Sequence, residues 1–108
     1  MGNDTYSPVR IIARSTIAAF AGEHPNARAS LAYWVSIARE ARWNSVDDVQ
    51  AAFSKAKALN GERVRFAVAG GDFRMIVAFD FRRGIAFVKF IGTHAEYDKV
   101  DALTVSRF

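Results

Sequence analysis

The run "FIGTHAEYDKVD", residues 90 to 101, sets an imidazole, His94, three positions before a phenol, Tyr97. On a helical turn that spacing puts both on one side. Just upstream, alternating segments carry Arg63, Arg65, Arg74 and Lys89. An imidazole and a phenol beside gathered cations are what metal-free RNA cleavage uses. One group takes the proton of a ribose 2′-OH, another protonates the leaving 5′-oxygen, and cations stabilise charge on the phosphoryl oxygens. A structural explanation competes for the same residues. Thr93 and Glu96 fit the capping-box pattern, each bonding the other's backbone N–H. His94 could simply hydrogen-bond the helix end or Asp98.

Whether those cations meet depends on strand register. The runs "ERVRFAVA" (62 to 69), "DFRMIVAFDF" (72 to 81) and "IAFVKFI" (85 to 91) alternate in the manner of strands. They are joined at Gly70-Gly71 and Arg83-Gly84, both suited to two-residue hairpin turns. Residue 69 then faces 72, and 82 faces 85. Counting outward pairs Arg74 with Ala67, Arg65 with Ile76 and Lys89 with Ala78. The core face collects Val64, Phe66, Val68, Phe73, Met75, Val77, Phe79, Phe81, Ala86, Val88 and Phe90. The other face collects Arg63, Arg65, Arg74 and Lys89 with Ala67, Ile76, Ala78, Asp80, Ile85, Phe87 and Ile91. Like charges this close repel. A face that needed only to be wet would be expected to mix signs, so the clustering points to a phosphate-binding surface, with Lys55 and Lys57 in the preceding linker as additions.

The first half supplies the cover. "VRII" (9 to 12) reads as a short strand. Helical spacing begins at Ser15, a candidate N-cap, and buries Ile17, Phe20 and Ala21 until "GEHP" breaks it. A second helix is expected from about Asn26 to about Arg42, burying Leu31, Trp34, Val35 and Ala38. Arg28, Arg39 and Arg42 face out, as a solvated face or as RNA contacts. His24 falls at a helix end as a cap or turn residue, and Trp34 and Trp43 read as packing. Ser45 can cap a short helix whose first turn holds Asp47 and Asp48, where the dipole favours negative charge.

Composition bounds what remains. The chain has 108 residues, 51% of them hydrophobic and 24% charged, which is enough for one core. We expect a loose leader over 1 to 8 and a single domain over 9 to 108. With no cysteine and only His24 and His94 as histidines, the sequence arranges no metal site. No cofactor is expected. Charges interrupt every apolar run, so neither a membrane span nor a signal peptide is expected, and the chain reads as cytoplasmic. Fifteen Lys and Arg against 11 Asp and Glu give net +4, which favours an acidic partner.

The stretch "VRFAVAGGDFRMIVAFDFRRGIAFVKFIGTHAEYDKVDA" closely resembles the HigB-type toxins of bacterial type II toxin–antitoxin modules, a branch of the RelE-like ribonuclease superfamily. "FIGTHAEYDKVD" is its signature, and a weaker likeness extends over roughly residues 9 to 102. The resemblance implies an α+β, RelE-like fold in which helices pack on one face of a small, mostly antiparallel sheet. It also implies a metal-independent endoribonuclease that cuts mRNA, usually on the ribosome, and is neutralised by a helix-turn-helix antitoxin of the HigA type. Operator DNA would be bound only through that antitoxin. By position, Arg74 matches the arginine that contacts the scissile phosphate, and His94 and Tyr97 fall where relatives keep acid–base groups. Lys89 would share charge stabilisation with Arg74, while Arg63 and Arg65, with Lys55 and Lys57, would hold the RNA backbone. A non-catalytic translation inhibitor that binds RNA or the ribosome is the alternative.

Overall fold

Alternating apolar residues in the second half build the sheet, and the apolar stripes of the first half cover one side of it. The computed structural model describes residues 9 to 108. The leader expected over 1 to 8 lies outside them. Strand β1 (Arg10–Ile12) leads into helix α1 (Arg14–Glu23), a 3₁₀ turn (Pro25–Ala27), helix α2 (Arg28–Ala38) and helix α3 (Val46–Ala52). Strands β2 (Lys57–Ala58), β3 (Arg63–Val68), β4 (Phe73–Asp80) and β5 (Ile85–Thr93) follow, and a single turn of helix, α4 (His94–Tyr97), ends the series. The strands form a five-stranded sheet in the order β1-β5-β4-β3-β2. β1 runs parallel to β5 and the other pairings are antiparallel.

The helices lie on the face carrying Val64, Phe66, Val68, Phe73, Met75, Val77, Phe79, Ala86 and Val88, all buried. Aromatic edges lock the layers. Trp34 meets Phe66 at 5.4 Å, Trp43 meets Phe79 at 5.6 Å and Phe20 meets Phe73 at 5.3 Å between ring centroids. Such pairs contribute about 0.5–1.5 kcal/mol each beyond the area they bury. His24 ends α1 and stacks on Phe20 at 4.2 Å, in agreement with its reading as a helix-end residue.

Helix boundaries depart from expectation. Ser15 lies inside α1, whose N-cap is Ala13 in the left-handed region (φ 78°) with no side-chain cap bond. Ser45 occupies the N-cap position of α3 without making the bond either. Instead the Asp48 carboxylate accepts the Asn44 N–H at 2.8 Å. The second helix begins with the 3₁₀ turn at Pro25 and stops at Ala38, short of Arg42. Trp43 must swing back into the core between Phe53 and Phe79, and a continuing helix would carry it away.

The register splits the same way. Across β3 and β4 the expected pairs are present, Ala67 with Arg74 and Arg65 with Ile76. Across β4 and β5 they are not. The reversal spans Phe81 to Gly84 instead of two residues, held by the Asp80 carboxylate accepting the Arg83 N–H at 3.1 Å. An aspartate that bonds its own turn in this way substitutes for a tight glycine hairpin. Ala78 therefore pairs with Phe87, not with Lys89.

A bulge then adds one residue to β5, since Val77 pairs with Val88 and Ile76 with Phe90. Lys89 is the extra residue. Beyond it the alternation inverts, as expected for two residues opposing one. Ile91 joins the helix-side core, while Phe90 and Ile76 are fully buried outside that cluster, on the other face. The C-terminal segment lies across them. The Arg107 guanidinium sits 4.9 Å from the Phe90 ring centroid and the Tyr97 ring 6.2 Å from it. The Arg107 N–H donates to the Lys89 carbonyl, which as a bulge residue has no place in the ladder.

Candidate active site

The helix-free face carries the cations, in two separate places. Arg65, Arg74 and His94 line one shallow depression of about 600 Å³ together with Lys55, Ala67, Gly70, Gly71 and Asp72. Arg63 and Lys89 line another, with Glu62, Asp80, Arg82 and Phe87. The expectation that all of these cations form one cluster is corrected: Arg63 keeps its expected place opposite Ala78, but it and Lys89 engage the C-terminal segment.

Ladder positions explain the first group. Arg74 lies between Ala67 on β3 and Gly92 on β5, so its guanidinium has small neighbours on either side. Arg65 stands diagonally across from it, at a spacing on the order of 7–8 Å, within reach of long side chains. Lys57 is the cross-strand partner of Arg65 and shares its face without lining the depression. Lys55 enters from the turn after α3. Both arginine Nε–H groups are buried and have no acceptor within the protein. Buried donors of that kind are few in folded proteins and call for an explanation. Asp72 is the only acid lining the depression, and neither arginine makes an ion pair among the described residues.

The glycine turn shapes the near wall. Gly71 has φ +102°, and a Cβ there would stand 3.4 Å from Arg74 Nη1. That distance is ordinary contact, so it is the left-handed backbone that calls for glycine here.

His94 is placed by the cap of α4. The capping box is fully formed: the Thr93 hydroxyl accepts the Glu96 N–H at 3.1 Å, and the Glu96 carboxylate accepts the Thr93 N–H at 2.8 Å. The His94 N–H donates to the Asp72 carbonyl at 3.2 Å, tying the helix to the β3–β4 turn. Its ring is half exposed, with Nε2 3.5 Å from Asp98 Oδ1. Gly92 is required beneath it, because a Cβ would fall 2.8 Å from Glu96 Oε1 and 2.9 Å from the Phe90 ring. Tyr97 follows on the same turn but faces Phe90 and is not among the residues of the depression.

The backbone N–H of Thr93 holds the Glu96 carboxyl below the ordinary glutamate range, with smaller help from the Thr93 hydroxyl, Arg107 and His24 and against desolvation. Because the folded value is depressed, this bond stabilises the cap above the unfolded value, about 4.3, and is lost as pH falls through the folded one. The protection factors of the Thr93 and Glu96 amides, with the intrinsic exchange rate divided out, are therefore expected to fall as pH drops below that unfolded value. Glu96→Gln should remove that pH dependence. Thr93→Ala is expected to cost about 1 kcal/mol at neutral pH in urea unfolding.

Arg63 and Lys89 have other work. Arg63 Nη1 donates to the carbonyls of Ala102 and Val105 at 3.0 and 2.9 Å, and Lys89 Nζ reaches Ser106 Oγ at 3.4 Å. Both hold the C-terminal segment. No local signal in the sequence separates them from Arg65 and Arg74, because their partners lie in the C-terminal segment.

A sheet face that gathers arginines, a lysine and a histidine above a glycine turn is matched by one further observation. The family description HigB toxin, RelE-like toxic component of a toxin–antitoxin system, fits residues 27–100. The chain belongs to that family. Its α+β fold, with helices on one face of a mostly antiparallel sheet, is consistent with a RelE-like toxin, and membership implies an antitoxin partner. None of the curated proteins compared with it matches the chain. No helix among the described residues of this HigB-family chain is long and apolar enough to cross a membrane.

Proposed function

We propose that this HigB-family chain is an endoribonuclease toxin that cuts mRNA on the ribosome in the cytoplasm, without a metal or other cofactor, and is silenced by a helix-turn-helix antitoxin of the HigA type. Operator DNA is bound only through that antitoxin. The observation that carries the reading is the convergence of Lys55, Arg65, Arg74 and His94 on one depression of the helix-free face.

Two guanidinium groups with unpartnered buried N–H donors suit a phosphodiester, whose oxygens accept from planar forks. In this reading Arg74 binds the scissile phosphate and Arg65 the same or the adjoining one, with Lys55 and Lys57 along the backbone. The 2′-oxygen attacks phosphorus as its proton leaves, the P–O5′ bond breaks, and a proton passes to the departing 5′-oxygen. A 2′,3′-cyclic phosphate and a free 5′-hydroxyl result. His94 carries one of the proton transfers, with Asp98 orienting its ring. Tyr97 takes part only if the turn of α4 brings it round from Phe90. Lys89 and Arg63 act on the C-terminal segment and are left out of the chemistry.

Mapping mRNA ends after induction tests the reading. New discrete 5′-hydroxyl ends within translated regions are expected. Arrested translation without new ends would instead support a non-catalytic inhibitor that blocks by occupancy.

A further inference from the structure

Beside the basic depression, and sharing Lys55 and Ala67 with it, lies a groove of about 270 Å³ between α2, the turn after α3 and the edge of β3. That is small for a ligand pocket, where roughly 300–1,000 Å³ is usual, and suits one planar ring system. Tyr33 forms its rim and is 58% exposed, a large aromatic surface on a helix whose other exposed positions, Arg28, Ala29, Ala32 and Ser36, are small or charged. Phe53 stands behind Tyr33, edge-on at 6.1 Å, so the Tyr33 ring is backed by packing. The third wall is backbone. β2 pairs with β3 only at Val64 and Arg65, so from Phe66 to Val68 that edge has no partner strand. Unpaired strand-edge N–H and C=O groups are ready hydrogen-bonding partners.

We propose that this groove holds one nucleobase next to the scissile phosphate, stacked on Tyr33, with the open edge of β3 available to the base's polar edge. The inference rests on the nuclease reading and adds to it the subsite that selects sequence. Continuity through Lys55 fixes the order: a phosphate held by Arg74 and Arg65 is followed along the chain by a backbone step past Lys55 and then by the base. An exposed tyrosine near a basic track is the arrangement by which single-stranded nucleic acid is held, a stacking platform beside cations.

The test uses ribosomes programmed with short mRNAs that contain one cleavage site, intact or with an abasic nucleotide on either side of the cut. Wild-type protein is expected to cut one of the two abasic mRNAs roughly 5- to 150-fold more slowly, the range for a single stacked base. Tyr33→Ala should cut the intact mRNA more slowly by a similar factor and show no further loss on that abasic mRNA. Tyr33→Phe, which keeps the ring, should restore the dependence on the base. Wild-type-like cutting by Tyr33→Ala overturns the subsite, as do losses that multiply when variant and abasic site are combined. So does a variant that loses only antitoxin binding, which would assign the groove to the protein partner. If wild-type protein cuts none of the mRNAs, the nuclease reading itself fails and the subsite falls with it.

Discussion

Replacing Arg74 by alanine is expected to slow RNA cleavage roughly 10²–10³-fold, the usual cost of removing one donor to a developing oxyanion charge. Growth arrest on induction should be relieved accordingly. The variant should remain folded, because Arg74 makes no hydrogen bond or ion pair whose loss would strand a partner, and its own Nε–H is already unsatisfied. Truncation removes an unpaired buried donor, which is near neutral for stability or favourable. Its neighbours Ala67 and Gly92 are small, so no packing collapses around the gap. Arg74→Lys keeps a charge but not the planar fork and should recover only part of the rate. The measurement is single-turnover cleavage alongside urea unfolding. Full toxicity from a stably expressed Arg74→Ala protein would remove Arg74 from the site.

Phe90→Ala should be the most damaging single truncation outside the helix-side core. The ring is fully buried, and removing a buried phenylalanine typically costs about 3–5 kcal/mol. Against a total of about 5–15 kcal/mol for a domain, that is a large share. The pattern of the damage distinguishes this site from the main core. Phe90 lies beneath Arg107 and beside Tyr97, so the variant should expose residues 98 to 108 to proteolysis before the tryptophan environment around Trp34 and Trp43 changes. Simultaneous loss of both in urea would mean that the two faces form one cooperative unit.

Much of this was legible in the sequence, and the failures share a cause. The β3–β4 register followed from a glycine pair that requires positive φ, and it placed Arg65 and Arg74 together. The capping box was readable because its bonds are local. The β4–β5 register was not, because "DFRRG" offers two competing turns and a side-chain bond from Asp80 decides between them. The bulge was invisible for a related reason. Alternation over "AFVKFI" looks regular whether or not an extra residue is present, since Phe90 and Ile91 are both apolar and either can face either core. Those two errors set Lys89 opposite Ala78, whereas its grouping with Arg74 fails because the C-terminal segment engages it. The C-terminal segment gave no sign that it would cover a sheet face.

Strand β5 sits between β1 and β4, and its outer surface is roofed by residues up to Arg107. Among the described residues β1 pairs with β5 alone, so the segment before the helices joins the sheet through the strand that precedes α4. The basic hollow, which borrows His94 from beyond β5, is complete only when β5 and the turn that follows it are both in place.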